Sequence, residues 1–132
     1  MPASFRAALA GQSFQGVVLI RSHNHAALEG FSFSMMSELG ERIDQFDIFS
    51  DDQDDMATAI FGDAIPLSFD SEGRIILPAE LMDHAGLGEH AAFVGMGHKF
   101  QIWEPKALKE RQAKARDSVR KKGLTLPKGE RA

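Results

Sequence analysis

The sequence contains no cysteine among its 132 residues. That removes disulfide frameworks, thiolate metal sites and cysteine nucleophiles together, and is compatible with a reducing compartment. No apolar run approaches the roughly 18 to 20 residues of a membrane span, and the N-terminus has no basic and apolar leader pattern. The cytoplasm is the expected location, with no membrane partner. Ser, His and Asp are all present, but no nucleophile elbow, phosphate loop or zinc-helix motif sets them at catalytic spacing. An enzyme is not expected, nor a cofactor or small-molecule substrate.

Positive charge is scarce over most of the chain. Residues 1–105 hold five Lys and Arg against sixteen acidic residues, whereas residues 106–132 hold ten against three. A body at minus 11 would repel nucleic acid if its charges were evenly spread, so a DNA contact must be local or made by several copies.

What is present is a core's worth of apolar residues, ten Phe among them, and an internal repeat. Met1-Pro2-Ala3-Ser4-Phe5 lines up with Leu77-Pro78-Ala79-Glu80-Leu81. After a gap of two residues in the connecting loop, Val17 to Phe31 aligns residue for residue with Ala91 to Pro105. In the second copy, Ile65 to Phe69 and Arg74 to Leu77 read as a β-hairpin around Asp70-Ser71-Glu72-Gly73, with Gly73 at the positive-φ position. Asp70 suits the first turn position because its carboxylate can accept from turn amides. A short helix over about 78–85 comes next, opened by Pro78 and closed by Gly86-Leu87. Phe93 to Met96 and Phe100 to Trp103 form a second strand pair around Gly97-His98. Both faces of Ile75-Ile76-Leu77 are apolar, which predicts a strand buried on both sides, and interleaving two copies would supply that burial by closing a barrel.

The chain divides into four segments. Residues 1–31 are a first repeat whose start is incomplete, since nothing before Pro2 corresponds to the Asp70 to Arg74 turn. Residues 32–61 are a helical insert, with Met35, Met36, Leu39 and Ile43 at helical spacing and a capping box at Ser50 and Gln53. Residues 62–105 are the second repeat, and 106–132 are a basic helix, Pro105 to Lys122, with a loose tail. The expected class is mainly β with a helical insert, α+β.

Asp70-x-x-Gly73-Arg74-Ile75-Ile76-Leu77-Pro78-Ala79, then His84-Ala85-Gly86-Leu87 and Val94-Gly95-Met96-Gly97-His98-Lys99-Phe100-Gln101-Ile102-Trp103, closely resembles the MraZ family. The likeness extends to Ala59-Ile60-Phe61-Gly62-Asp63. It implies two AbrB-like (SpoVT-AbrB) repeats in a swapped-hairpin β-barrel. It further implies a cytoplasmic, nucleoid-associated DNA-binding repressor of the division and cell-wall gene cluster, working on double-stranded promoter repeats as a ring-like homo-oligomer. Members of the family carry a D-x-x-x-R turn in each repeat, and here only Asp70 and Arg74 supply one. Either Met1 is an internal methionine taken as the start, which is the favoured reading, or the gene encodes a shortened protein.

On this basis Arg74, Gly73, Glu72 and Ser71 are the expected DNA-contacting residues. Arg74 would pair bidentately with guanine or clamp a phosphate, Ser71 would offer its hydroxyl, and Gly73 its amide. Asp70 would shape the loop. The plainer reading of Arg74 is a surface arginine paired with Asp70 or Glu72. Lys106, Lys109 and Arg116, within the cationic helix that also carries Arg111, Lys114, Arg120, Lys121 and Lys122, would add an unspecific contact through counterion release, unless that helix is only a solvated face. Asp51-Asp52-Gln53-Asp54-Asp55 lacks the glycine and distal glutamate of a calcium loop, and acidic residues suit a helix N-terminus. His23 and His25 would share one side of a strand, with no further ligand fixed near them, so no metal is expected. The rival function is an AbrB-type antitoxin or an oligomeric protein-interaction module without DNA binding.

Overall fold

Val17-Val18-Leu19-Ile20 is apolar on both faces, and it forms a strand buried on both sides. In the computed structural model, which describes Pro2 and residues 15–127, this strand is β1, Gly16–Arg21. Four more complete the set: β2, Leu28–Phe31; β3, Ile65–Ser68; β4, Ala92–Gly95; and β5, Phe100–Trp103. They make one antiparallel sheet in the order β3-β1-β2-β5-β4. The segments either side of the insert therefore interleave, with β3 against β1 and β5 against β2. The described strands of one chain leave an open sheet, with β3 and β4 at its ends.

Strand alternation sends successive side chains to two separate cores. Val17, Leu19, Leu28, Phe100 and Ile102 pack with Leu81 and Ala85 of helix α3, Ala79–Ala85. On the other face Val18, Ile20 and Phe31 meet Ile43 of α1, Met35–Ile43, and Ile60 of α2, Asp51–Ile60. The insert is helical, as its spacing predicts, and the Ser50 side chain accepts from the Gln53 amide at 3.1 Å. Gly86 caps α3 in the left-handed region, and the Leu87 amide returns to the Met82 carbonyl at 2.9 Å. Helix α4, Pro105–Lys122, has the bounds its proline and glycine signal, and none of its residues is buried.

A polar ladder crosses the join between the two segments. Glu29 on β2 lies opposite Gln101 on β5. The Gln101 amide nitrogen donates to both Glu29 oxygens, at 2.8 and 3.2 Å, Lys99 Nζ lies 3.1 Å from Oε1, and Trp103 Nε1 donates to Gln101 Oε1 at 2.9 Å. Buried polar groups require such partners. Beside it, Gly30 pairs with Phe100, whose ring covers the glycine so closely that an added Cβ would meet it at 2.3 Å.

Three expectations need correction. Residues 74–77 are not a strand, because among the described residues no neighbouring strand offers them a ladder, and Ile76 is 88% exposed rather than buried. The residue-for-residue match of Val17–Phe31 to Ala91–Pro105 also fails. Arg21 faces Leu28 across six residues, whereas Gly95 faces Phe100 across four, so the first hairpin loop is two residues longer. His23 and His25 lie on that loop rather than on a strand, with the His25 ring 5.3 Å from the Trp103 ring. The N-terminal match, apart from Pro2, lies outside the described residues.

Candidate nucleic-acid interface

The turn at 70–74 is built by one carboxylate. Asp70 Oδ1 accepts from the amides of Glu72 and Arg74, at 2.9 and 2.8 Å, and Oδ2 accepts from Arg74 Nε at 2.9 Å. The backbone closes the same loop, with the Asp70 amide donating to the Arg74 carbonyl and the Gly73 amide to the Asp70 carbonyl. Gly73 sits at φ 75°, where a side chain would be strained. The hydrogen bonds from Arg74, backbone first and then side chain, hold the Asp70 carboxyl below the ordinary carboxylate range, with a smaller contribution from the Glu72 amide.

Arg74 is held on two sides, since its Nη2 also lies 3.0 Å from Glu72 Oε2. Its side chain remains 67% exposed, so the guanidinium is oriented by acids behind it and still faces solvent. Ser71 is exposed, and among the described residues its hydroxyl and amide make no hydrogen bond. Gly73 is buried, and its amide donates to the Asp70 carbonyl inside the turn, which helps to shape the loop. Pro66, Ser68, Asp70, Arg74 and Ile76 line a groove of about 350 Å³ beside the turn.

Helix α3, just downstream of the turn, is steadied by a clamp that no sequence pattern announces. Arg21, at the end of β1, bonds Asp63 through its amide at 2.7 Å and Nη1 at 2.8 Å, while its Nη2 reaches Glu80 of α3 at 3.2 Å. Asp63 lies 42 residues from Arg21, and no local pattern signals a pairing at that distance. Leu81, fully buried, anchors the same helix to the sheet. The turn thus stands between β3 and a helix fixed at two points.

The cations of α4 lie elsewhere. Lys106, Lys109 and Arg116 have no ion pair among the described residues, whereas Arg120 and Lys121 both pair with Asp117. Glu104 caps this helix by accepting from the Lys106 and Ala107 amides, bonds that lower its pKa. Asp51, Asp52 and Asp54 occupy the first turn of α2, and among the described residues no three His, Asp or Glu side chains are placed to hold a metal ion. Nor is any described helix long and apolar enough to cross a membrane.

A family described as "MraZ protein, putative antitoxin-like" matches residues 60–126. The transcriptional regulator MraZ of Gluconacetobacter diazotrophicus is 45% identical over 130 residues, covering 96% of this chain and 81% of that protein. Its namesake in Gluconobacter oxydans is 45% identical over 123 residues, covering 91% and 75%, and that of Rickettsia bellii is 40% identical over 126 residues, covering 96% and 84%. The chain belongs to the MraZ family. The stretch matched by the MraZ family model takes in the Asp70 to Arg74 turn, α3, the β4–β5 hairpin and all of α4. The candidate interface residues other than Arg21 lie within the stretch that the family model matches.

Proposed function

We propose that this chain is a sequence-specific, DNA-binding transcription regulator, a repressor of the division and cell-wall gene cluster, that reads promoter repeats through the turn at Asp70 to Arg74. The observation that carries this reading is the exposed Arg74 guanidinium, fixed in direction by Asp70 and Glu72 on a turn with little freedom to move. A pre-oriented guanidinium loses little entropy on pairing with guanine O6 and N7 or with a phosphate. Ser71 flanks it as a phosphate contact, and Glu72 gives up its bond to Arg74 as DNA arrives. Lys106, Lys109 and Arg116 add sequence-independent attraction. In this reading the open sheet belongs to an AbrB-like barrel closed by pairing the repeats, the chain forms a ring-like homo-oligomer whose several turns meet several DNA boxes, and the protein works at the nucleoid in the cytoplasm. Avidity then supplies what one turn cannot.

Fluorescence anisotropy on DNA from the gene's own promoter and on a scrambled control tests it. The intact chain is expected to prefer the promoter, and Arg74→Ala to lose about 10- to 100-fold of that preference, the range for one bidentate contact. Equal binding of both DNAs by the intact chain would overturn the reading. The family description favours one rival, an antitoxin that neutralises a protein partner. A toxin-like protein encoded next door and bound by this chain, with no promoter preference, would decide for it.

A further inference from the structure

The loop joining α1 to α2 is the most exposed apolar feature of the insert. Residues 44–49 are six consecutive exposed positions, among them Phe46, Ile48 at 68% and Phe49 at 92% exposure. Apolar side chains clustered in this way mark an interaction surface. Acid surrounds them: Asp44, Asp47, Asp51, Asp52, Asp54 and Asp55 are all exposed, and the nearby cation, Arg42, is already paired with Glu38 at 2.9 Å.

Helix α4 presents the complement. It carries eight Lys and Arg against Glu110 and Asp117. With about 100° per residue, Leu108, Ala115 and Val119 fall on one stripe, flanked by Arg111 and Lys122. Lys106, Lys109 and Arg116 lie roughly a quarter to a half turn away, on a second face that this stripe leaves to DNA. Val119 is half-exposed, Leu108 and Ala115 are half-buried, and no residue of α4 is buried, so part of this stripe stays open to solvent.

Sheet topology separates the two surfaces. Gly30 pairs with Phe100 and Leu28 with Ile102, so β2 ends where β5 begins. The insert after β2 and the helix after β5 thus leave the sheet at opposite ends. Complementary patches on separate elements of one molecule join head to tail between copies, which closes rings or extends filaments.

We propose that the acidic and apolar loop of residues 44–55 in one copy docks on the Leu108, Ala115 and Val119 stripe of α4 in a second copy. This rests on the homo-oligomeric reading under Proposed function and adds the surfaces that make it. Ile48 and Phe49 supply the apolar contact, and the surrounding carboxylates face Arg111 and Lys122. Such charge pairing makes the assembly sensitive to salt.

Sedimentation velocity on the full chain and two variants tests it, with circular dichroism to establish that each folds. Ile48→Asp/Phe49→Asp breaks the loop, and Arg111→Glu/Lys122→Glu breaks the stripe. The expected result is assembly of the intact chain beyond a dimer, reduced by raised salt, with each variant alone monomeric. Mixed in equal amounts, the variants should form a dimer and nothing larger, because one intact loop and one intact stripe remain between them. Assembly of either variant like the intact chain would overturn the contact while leaving the oligomer standing. A mixture that stays monomeric would also overturn it. A monomeric intact chain would overturn the oligomeric reading and this one with it.

Discussion

Asp70 holds Arg74 three times over: its carboxylate accepts from the Arg74 amide at 2.8 Å and from Nε at 2.9 Å, and its own amide donates to the Arg74 carbonyl at 2.8 Å. An arginine fixed this way is aimed before any ligand arrives. With Arg74 as the proposed reader of DNA, removing the charge from Asp70 should therefore harm recognition without touching Arg74 itself. In Asp70→Asn, promoter preference is expected to fall about threefold to tenfold, less than in Arg74→Ala, because orientation and not the guanidinium is lost. Anisotropy with promoter and scrambled DNA checks it. An unchanged preference would mean that the turn holds its shape without the carboxylate.

The same carboxylate sets an acid limit for the turn. Its folded pKa is depressed, so its stabilisation is complete above the unfolded value of about 3.9 and is lost as pH falls through the folded value. The turn should stay closed from neutrality to about pH 4 and open only below that. Titration of the Glu72 and Arg74 amide resonances reads this directly. Movement centred near neutrality would assign the control to another group.

Glu72 makes the opposite prediction. It pairs with Arg74 and, in the proposed function, places a negative charge where phosphate would come. Glu72→Gln should tighten binding to both DNAs by about twofold to fivefold, with promoter preference largely kept. Weaker binding, measured by the same titrations, would show that the glutamate itself contacts DNA.

Two core positions test the scaffold under the turn. Leu81 is fully buried, and Leu81→Ala should cost about 2–5 kcal/mol in urea unfolding. Gly30→Ala must displace the Phe100 ring and should cost about 1–3 kcal/mol. A midpoint like that of the intact protein in either variant would contradict this packing.

Local signals were legible where local chemistry decides the structure. Pro105 and Gly123 bracket α4, Gly86 with Leu87 ends α3, and Asp70 with Gly73 marks the turn. Legibility ended where a distant partner decides. Ile75-Ile76-Leu77 has the pattern of a buried strand, but burial depends on a neighbouring strand, and periodicity carries no information about one. The Arg21 to Asp63 bond and the extra two residues of the first hairpin loop are likewise properties of the assembled sheet. At the candidate site, Arg74 and its acidic neighbours could be named from sequence. Its pairing with Asp70 or Glu72 was also legible as the plainer reading; that both hold it at once, and that Gly73 turns its amide inward, emerges only in the folded chain.

The ladder of Glu29, Gln101 and Trp103 has a bearing on how the two halves find their alignment. A shift of two residues between β2 and β5 would keep every side chain on its own face, although it would also take Gly30 from under the Phe100 ring. The same shift would part the buried Glu29 carboxylate from the amide that donates to both its oxygens. Glu29 thus works as a key cut for one notch, admitting the two hairpins to the sheet in a single setting and so fixing how far apart the turn and the basic helix stand.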